Sequence, residues 1–289
     1  MKLHFISGLP RSGSTLLAGL LRQNPRFHAA MTGPVAPMVQ ALLGTFAPQN
    51  ETAVFLDEER RRAILRAVIE AYYAPVADRG VVFDTNRMWT ARLPLVRALY
   101  PDARVICCVR DVSWIMDSFE RLVRRNAFEP SRLFGSPEER ATVYSRTEAL
   151  AHRDRVVGFA WSALKEAYYG EHSETLPLVE YDLLCQRPED CLKLIYGFLG
   201  EPWFAHDFEN VEYDEPEFDR QLGAPGLHAV KRKVSWERRA TVLPPDLFDK
   251  FKDLSFWREA KGSAAYRITR KPETGEAAAG ARQEPAGGR

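Results

Sequence analysis

Four short apolar runs in this chain each end at a turn or charge signal, and each is followed by residues with helical spacing. LHFIS at 3–7 reads as a buried strand that stops at Gly8, and the pattern STLLAGLLRQ from Ser14 reads as a helix with a Ser/Thr start. VVFD at 81–84 is a second strand, followed by a helix over roughly 89–99 and a Pro-Asp turn at 101–102. ARVICCV at 103–109 is almost continuously apolar, as strands covered on both faces are. It runs into Arg110-Asp111, and a helix is expected through about Arg125. LPLVEY at 176–181 is the fourth strand, with a helix from about Pro188 to Leu199 halted by Gly200.

Between these units, residues 34–46 suggest a helix after Pro34, and Asp57 opens another whose Ile64, Leu65, Val68 and Ile69 share one face. Residues 126–140 read as a loop, 141–170 as one long helical stretch, 201–243 as a long loop and 243–251 as a last short helix. From Arg270 onward, Gly, Ala, Pro and Glu dominate, too little apolar surface to order a segment. Strands alternating with helices predict an α/β domain over 1–269 with a parallel sheet flanked by helices, and a disordered tail over 270–289.

Composition narrows the partners. The 289 residues carry 40 basic and 39 acidic side chains, a formal charge of +1, so no global field draws the chain to nucleic acid or an anionic membrane. Any anion site has to be local. No apolar run approaches a membrane span, and the first residues do not form a secretory signal. Cys107, Cys108, Cys185 and Cys191 make no disulfide framework in a chain this long, and no CxxC pair or His cluster points to a metal. They are expected to be reduced packing residues in a cytoplasmic protein. Cys107 and Cys108, adjacent in one strand, should face opposite sides of the sheet.

The local anion site is GLPRSGST, Gly8 to Thr15. It has the spacing of a P-loop, G-x4-G-[KST]-[ST], with Ser14 where the lysine usually stands. Such a loop turns its backbone N–H groups inward, and the following helix adds unpaired N–H groups at its positive end. Pro10 to Thr15 form the cradle: Gly13 permits close approach, Arg11 supplies the cation, and Ser12, Ser14 and Thr15 supply hydroxyls. The missing lysine and the absence of an apolar strand closing on a lone Asp weigh against magnesium-dependent ATP chemistry.

At this point the sequence resembles the sulfotransferases that use 3′-phosphoadenosine-5′-phosphosulfate (PAPS), and within them the branch of tyrosylprotein sulfotransferases and their bacterial relatives. GLPRSGSTLL at 8–17 resembles that family's 5′-phosphosulfate loop. VICCVRDVSWIMDSFER at 105–121 resembles its 3′-phosphate motif, with Arg110 and Ser118 eight residues apart. VEYDLL at 179–184 resembles the segment whose tyrosine meets adenine; Tyr181 takes that place, without the glutamate that normally follows. The resemblance covers about residues 3–200. From the residues alone, the second reading of Arg110 is a structural pair with Asp84, Asp111 or Asp117, and Tyr181 could equally be an ordinary core aromatic.

The resemblance implies in-line transfer of a sulfuryl group from PAPS to a hydroxyl or amine of a small-molecule or peptide acceptor, leaving adenosine 3′,5′-bisphosphate, with no metal required. Arg11 and the loop amides would stabilise the developing charge. The family's usual base is missing: the stretch FHAAMTGPV has no carboxylate, and FDTNRMW has no histidine. Asp84, at a strand's C-terminal end, is the candidate base, with an ion pair to Arg11, Arg87 or Arg110 as the structural reading of the same residue; His28 and His228 are the runners-up. Glu120 is expected to face a basic neighbour. Lys231, Arg232 and Lys233 are read either as a lid over the nucleotide or as a solvated basic run. The helical stretch 141–170 is open as a lid, a homodimer surface or packing. A P-loop kinase and a catalytically inactive nucleotide-binding relative are the alternatives.

Overall fold

The computed structural model describes residues 1–213, 215–259 and 261–270. Six strands form one parallel sheet in the order β2-β3-β1-β4-β5-β6. They are β1 (Lys2–Gly8), β2 (Phe27–Ala29), β3 (Val81–Thr85), β4 (Val105–Val109), β5 (Pro177–Glu180) and β6 (Tyr266–Ile268). The four longest were legible as apolar runs. β2 and β6, of three residues each, were not foreseen: strands so short show no period, and edge pairing alone makes them strands.

Alternate residues feed two separate cores, which is why the strands are apolar throughout. Phe5, Val82, Val105, Cys107 and Leu178 pack on one face; Ile6, Phe83, Ile106, Cys108 and Val179 pack on the other. Cys107 and Cys108 thus do point to opposite faces, and all four cysteines are buried and unbonded.

The helices are α1 (Ser14–Leu21), α2 (Val35–Thr45), α3 (Glu58–Tyr73), α4 (Met88–Ala91), α5 (Leu93–Leu99), α6 (Val112–Arg125), α7 (Pro137–Ala141), α8 (Val143–Ala151), α9 (Val156–Tyr169), α10 (Tyr181–Gln186), α11 (Pro188–Leu199), α12 (Pro216–Gln221) and α13 (Pro245–Lys252). Asp57 caps α3 by accepting from the Arg60 amide. The expected helix at 141–170 is two helices, α8 and α9. The chain leaves the helical region at His152, and Gly158 lets α9 lie so close to α8 that a Cβ there would stand 2.3 Å from the carbonyl oxygens of Ala151 and His152. The strand expected to reach Tyr181 ends at Glu180, because Tyr181 already begins α10. The loop at 126–140 holds α7, and the long loop at 201–243 holds α12.

One topological fact positions the site. β1 and β4 are neighbours, yet the helix after β1 packs in one core and the helix after β4 in the other. The two connections diverge, leaving a crevice at the strands' C-terminal edge between them, where open α/β sheets bind ligands. Among the described residues no helix is long and apolar enough to cross a membrane. The tail expected at 270–289 lies outside the described residues except for Arg270, which bonds Glu180 from its amide at 2.7 Å and its guanidinium at 2.9 Å.

Candidate active site

The loop from Gly8 to Gly13 is bolted to the neighbouring strand. Gly8 has φ of 101° and pairs with Cys108; a Cβ on it would lie 2.2 Å from the Cys108 carbonyl oxygen, so only glycine fits. The Leu9 amide donates to that same carbonyl at 2.8 Å, and Ser12 Oγ lies 2.9 Å from it. Ser12 is almost fully buried and also reaches the Leu9 carbonyl. Its hydroxyl therefore holds the loop's shape. Ser14 and Thr15, in the first turn of α1, are partly exposed. Gly13, in the left-handed region, caps α1 with no side chain over its first amides. Arg11 is the single non-glycine residue with positive φ, 56°, among the described residues. Such backbone strain on an arginine costs on the order of 1 kcal/mol and here sets where the guanidinium goes.

Arg11 Nε donates to Ser118 Oγ at 3.1 Å, which ties the loop to the second turn of α6. Arg110, just past β4, donates from Nη1 to the Arg11 carbonyl at 3.4 Å and lies 4.3 Å from the centre of the Tyr181 ring. The same ring closes against Gly13, where a Cβ would come within 2.7 Å of it. Register explains the meeting: Gly8 pairs with Cys108 and Val109 with Glu180, so Arg110 and Tyr181 leave their strands at one level of the sheet edge, one step beyond Leu9. Arg11, Gly13, Arg110, Ser118 and Tyr181, read from three separate stretches of sequence, thus form one cluster.

Neither Arg11 nor Arg110 forms an ion pair among the described residues, and Arg110 Nε is buried without a hydrogen-bond partner. The carboxylates that could have paired with Arg110 are engaged elsewhere. Asp111 holds Arg258 at 2.8 Å, Asp117 holds Arg121 and Arg239 at 3.0 and 2.6 Å, and Asp84 faces Tyr73 and Trp89. Burial, and then the charge of Arg110, lower the Arg11 pKa to about 10, so Arg11 keeps its proton at neutral pH. Two guanidinium groups without an ion pair among the described residues, beside loop amides and the N-terminus of α1, make a locally positive cluster suited to an anion.

Asp84 lies elsewhere in environment. It is fully buried, with one oxygen accepting from Tyr73 Oη and the other from Trp89 Nε1 at 2.6 Å. Burial raises its pKa, partly offset by those two bonds. It makes no ion pair with Arg11, Arg87 or Arg110. Lys231, Arg232 and Lys233 are exposed, and each is paired with a glutamate: Glu237 at 2.9 Å, Glu212 at 3.0 Å and Glu209 at 2.8 Å. Main-chain bonds from Val211 to Arg232 and from Val234 to Phe208 fasten this segment to residues 208–211. Glu120 is held by Arg124 and Arg146.

A residue that sequence reasoning missed is Asp219. It is buried in α12, 2.5 Å from His228 Nδ1, and its second oxygen accepts from the His228 amide at 2.8 Å. A carboxylate nine residues before a histidine carries no sequence signal; the turn through Gly223 and Gly226 brings them together. His28, by contrast, packs edge-on to the Tyr73 ring at 5.8 Å, with its pKa lowered by burial. Among the described residues no group of three or more His, Cys, Asp or Glu could hold a metal ion.

Comparison with known proteins agrees with this architecture. The profile of the sulfotransferase family matches residues 4–205, a span that includes the loop, Arg110, Ser118 and Tyr181. The nodulation protein NoeE of Sinorhizobium fredii (strain NBRC 101917 / NGR234) is 26% identical over 231 residues, covering 73% of this chain and 53% of that protein. Protein-tyrosine sulfotransferase 1 of Danio rerio is 23% identical over 244 residues, covering 81% of this chain and 61% of that protein. The chain thus spans between half and two thirds of the length of these relatives. The solved sulfotransferase domain from the curacin biosynthetic pathway superimposes with a TM-score of 0.50 at 18% identity, covering 88% of this chain and 91% of that one, a likeness of fold. With its profile matched over more than half of the residues and its parallel sheet shared, the chain belongs to the sulfotransferase family.

Proposed function

We propose that the crevice between β1 and β4 binds PAPS and that the chain transfers its sulfuryl group to a hydroxyl or amine of an acceptor, releasing adenosine 3′,5′-bisphosphate. The observation that carries this reading is the pair of arginines, Arg11 and Arg110, held at the loop with no ion pair to either among the described residues. Two partly buried guanidinium groups side by side repel one another, a cost that a polyanion in the space between them would remove.

The residues fit such a donor. PAPS brings an activated sulfate on its 5′ side and a phosphate on its 3′ side. The amides of residues 11–15 and the N-terminus of α1 suit the 5′ end, where Arg11 opposes the charge that grows on the bridging oxygen as transfer proceeds. Arg110 with its open Nε, and Ser118 behind it, suit the 3′-phosphate. Tyr181 offers a ring face already stacked on Arg110. The Ser12 hydroxyl shapes the loop from beneath. Closing the segment at Lys231 and Lys233 over the nucleotide would require these side chains to exchange their glutamate partners for phosphate oxygens, which is the form the lid reading takes here.

Calorimetry with adenosine 3′,5′-bisphosphate in EDTA tests the reading, with ATP and magnesium as the rival ligand. Tight metal-independent binding of the bisphosphate is the expected result. Binding of ATP with magnesium and none of the bisphosphate would replace this function with a kinase-like one. Turnover of PAPS against a panel of phenols, sugars and amines then separates an enzyme from a relative that only binds.

A further inference from the structure

We infer that His228, oriented by Asp219, is the base that takes the proton from the acceptor during sulfuryl transfer. The inference rests on the donor assignment above and adds the acceptor side of the same site.

The geometry of the pair is the reason. Asp219 is almost fully buried, and both of its oxygens are spent on one residue: Oδ1 on the His228 ring at 2.5 Å, Oδ2 on its backbone amide at 2.8 Å. This double grip fixes both the ring and the chain that carries it. A carboxylate at Nδ1 keeps the proton on that nitrogen and leaves Nε2 with a free lone pair. The Phe218 ring stands edge-on to the imidazole at 5.6 Å and limits its rotation. The supporting chain is equally fixed. The main-chain carbonyl of Asp219 accepts from the Ala224 amide at 3.0 Å, that of Leu222 accepts from the Arg132 amide at 3.0 Å, and Gly223 sits so near the Pro130 carbonyl that a Cβ would come within 2.3 Å.

The pair also belongs to the donor crevice. Besides Asp219 of α12, the charges that reach the His228 ring are those of Arg11, in the loop after β1, and Arg87, in the segment before α4, and Asp219 in turn acts on Arg11. Like Arg11, Arg87 forms no ion pair among the described residues, and it is exposed. Burial, followed by the two arginines against the pull of Asp219, sets His228 below the usual histidine value of 6.5, so the ring is neutral and able to accept at physiological pH. Donor anions on Arg11 would weaken the arginines' influence and make Nε2 a stronger base once the donor is bound. Asp84 offers no such opening, since Tyr73 and Trp89 occupy both its oxygens.

The step balances without another reagent. A lone pair of the acceptor oxygen forms the new S–O bond, and the O–H proton passes to His228 Nε2. The S–O bond to the 5′-phosphate breaks, its electron pair stays on the phosphate oxygen, and the imidazolium, stabilised by Asp219, releases its proton to water. Asp219 is a positioning residue, acting through His228.

The test uses the whole protein, saturating PAPS and substituted phenols of graded acidity as acceptors, with bisphosphate binding measured in parallel by calorimetry. His228→Gln should lower kcat about 10²- to 10³-fold for weakly acidic phenols, and only a few-fold for 4-nitrophenol, which is largely ionised in mildly alkaline buffer. It should leave bisphosphate affinity within about threefold, and it should abolish the acid limb of kcat expected of the wild type where His228 takes up its proton, below the usual histidine range. Asp219→Asn should lower kcat and shift that limb, with Asp219→Glu recovering part of the rate. A loss in His228→Gln that is equal for every phenol, a retained acid limb, or an accompanying loss of bisphosphate binding would overturn the assignment. Failure of the wild type to bind the bisphosphate would instead overturn the donor reading itself.

Discussion

The Arg110 guanidinium lies over the face of the Tyr181 ring, 4.3 Å from its centre, while the edge of that ring closes on Gly13. A strand end, a helix start and the loop's last glycine are thereby joined through one aromatic side chain. Arg110 is held in place without an ion pair among the described residues, so its charge remains available for a ligand.

Replacing Arg110 by Ala should weaken binding of adenosine 3′,5′-bisphosphate by about 30- to 100-fold, the size of about 2–3 kcal/mol for charge-assisted hydrogen bonds to phosphate. Stability should fall little, because no ion pair is broken. Calorimetry and a urea melt on the same preparation check both halves, and unchanged affinity would remove Arg110 from the donor site.

Gly13→Ala should cost about 1–3 kcal/mol of stability in urea unfolding. Left-handed backbone strain accounts for about 1 kcal/mol, and the collision with the Tyr181 ring, 2.7 Å from the added carbon, for the rest. In a Tyr181→Ala background the collision disappears. The Gly13→Ala penalty should then shrink toward the backbone share alone; an equal penalty in both backgrounds would contradict the contact.

Asp84→Asn should keep kcat within a few-fold, while Asp84→Ala should lose about 2–4 kcal/mol of stability by leaving the Tyr73 and Trp89 donors buried and unpaired. An asparagine can still accept from Trp89 and donate to the Tyr73 oxygen. The pH dependence gives a second check. Burial raises the folded-state pKa above the carboxylate value of 3.8, so the unfolded chain releases its proton first and Asp84 subtracts stability as pH rises through that range. Urea midpoints should therefore shift in favour of Asp84→Asn, relative to wild type, between acid and neutral pH.

His4, in β1, is buried and accepts the Arg104 amide at 3.1 Å through Nδ1. Burial lowers its pKa to about 4 from 6.5. Between these values the unfolded chain binds a proton that the folded one refuses, so stability falls as pH drops through the window. His206, also lowered to about 4 by burial, acts in the same direction. His4→Gln should flatten the slope of the urea midpoint between pH 6.5 and 4 by comparison with wild type, and an unchanged slope would show that His4 is protonated at little cost.

What the sequence disclosed divides by the range of the interaction. The runs at 3–7, 81–84, 103–109 and 176–181 gave four strands because burial on both faces writes a continuous apolar signature. GLPRSGST disclosed the loop because phosphate-type cradles need a local order of glycines and hydroxyls. Tyr266–Ile268 left no such mark; its pairing with Pro177–Val179 is decided almost 90 residues away in the chain. Asp84 shows the same limit from the other side: its place at a strand end was legible, but its enclosure by Tyr73 and Trp89 was not. Asp219 was invisible for a related reason, since a buried carboxylate in a short helix reads as solvated until its partner is seen.

The Cys108 carbonyl receives both the Leu9 amide and the Ser12 hydroxyl, and Gly8 lies against it with no room for a methyl group. Two neighbouring strands are thus riveted at the point where the loop departs, so a sideways displacement of the central strand by even a fraction of an ångström would be passed straight to the cradle. Substitutions at Ile106, deep beneath the crevice and remote from any ligand, should accordingly register as altered nucleotide affinity before they register as unfolding.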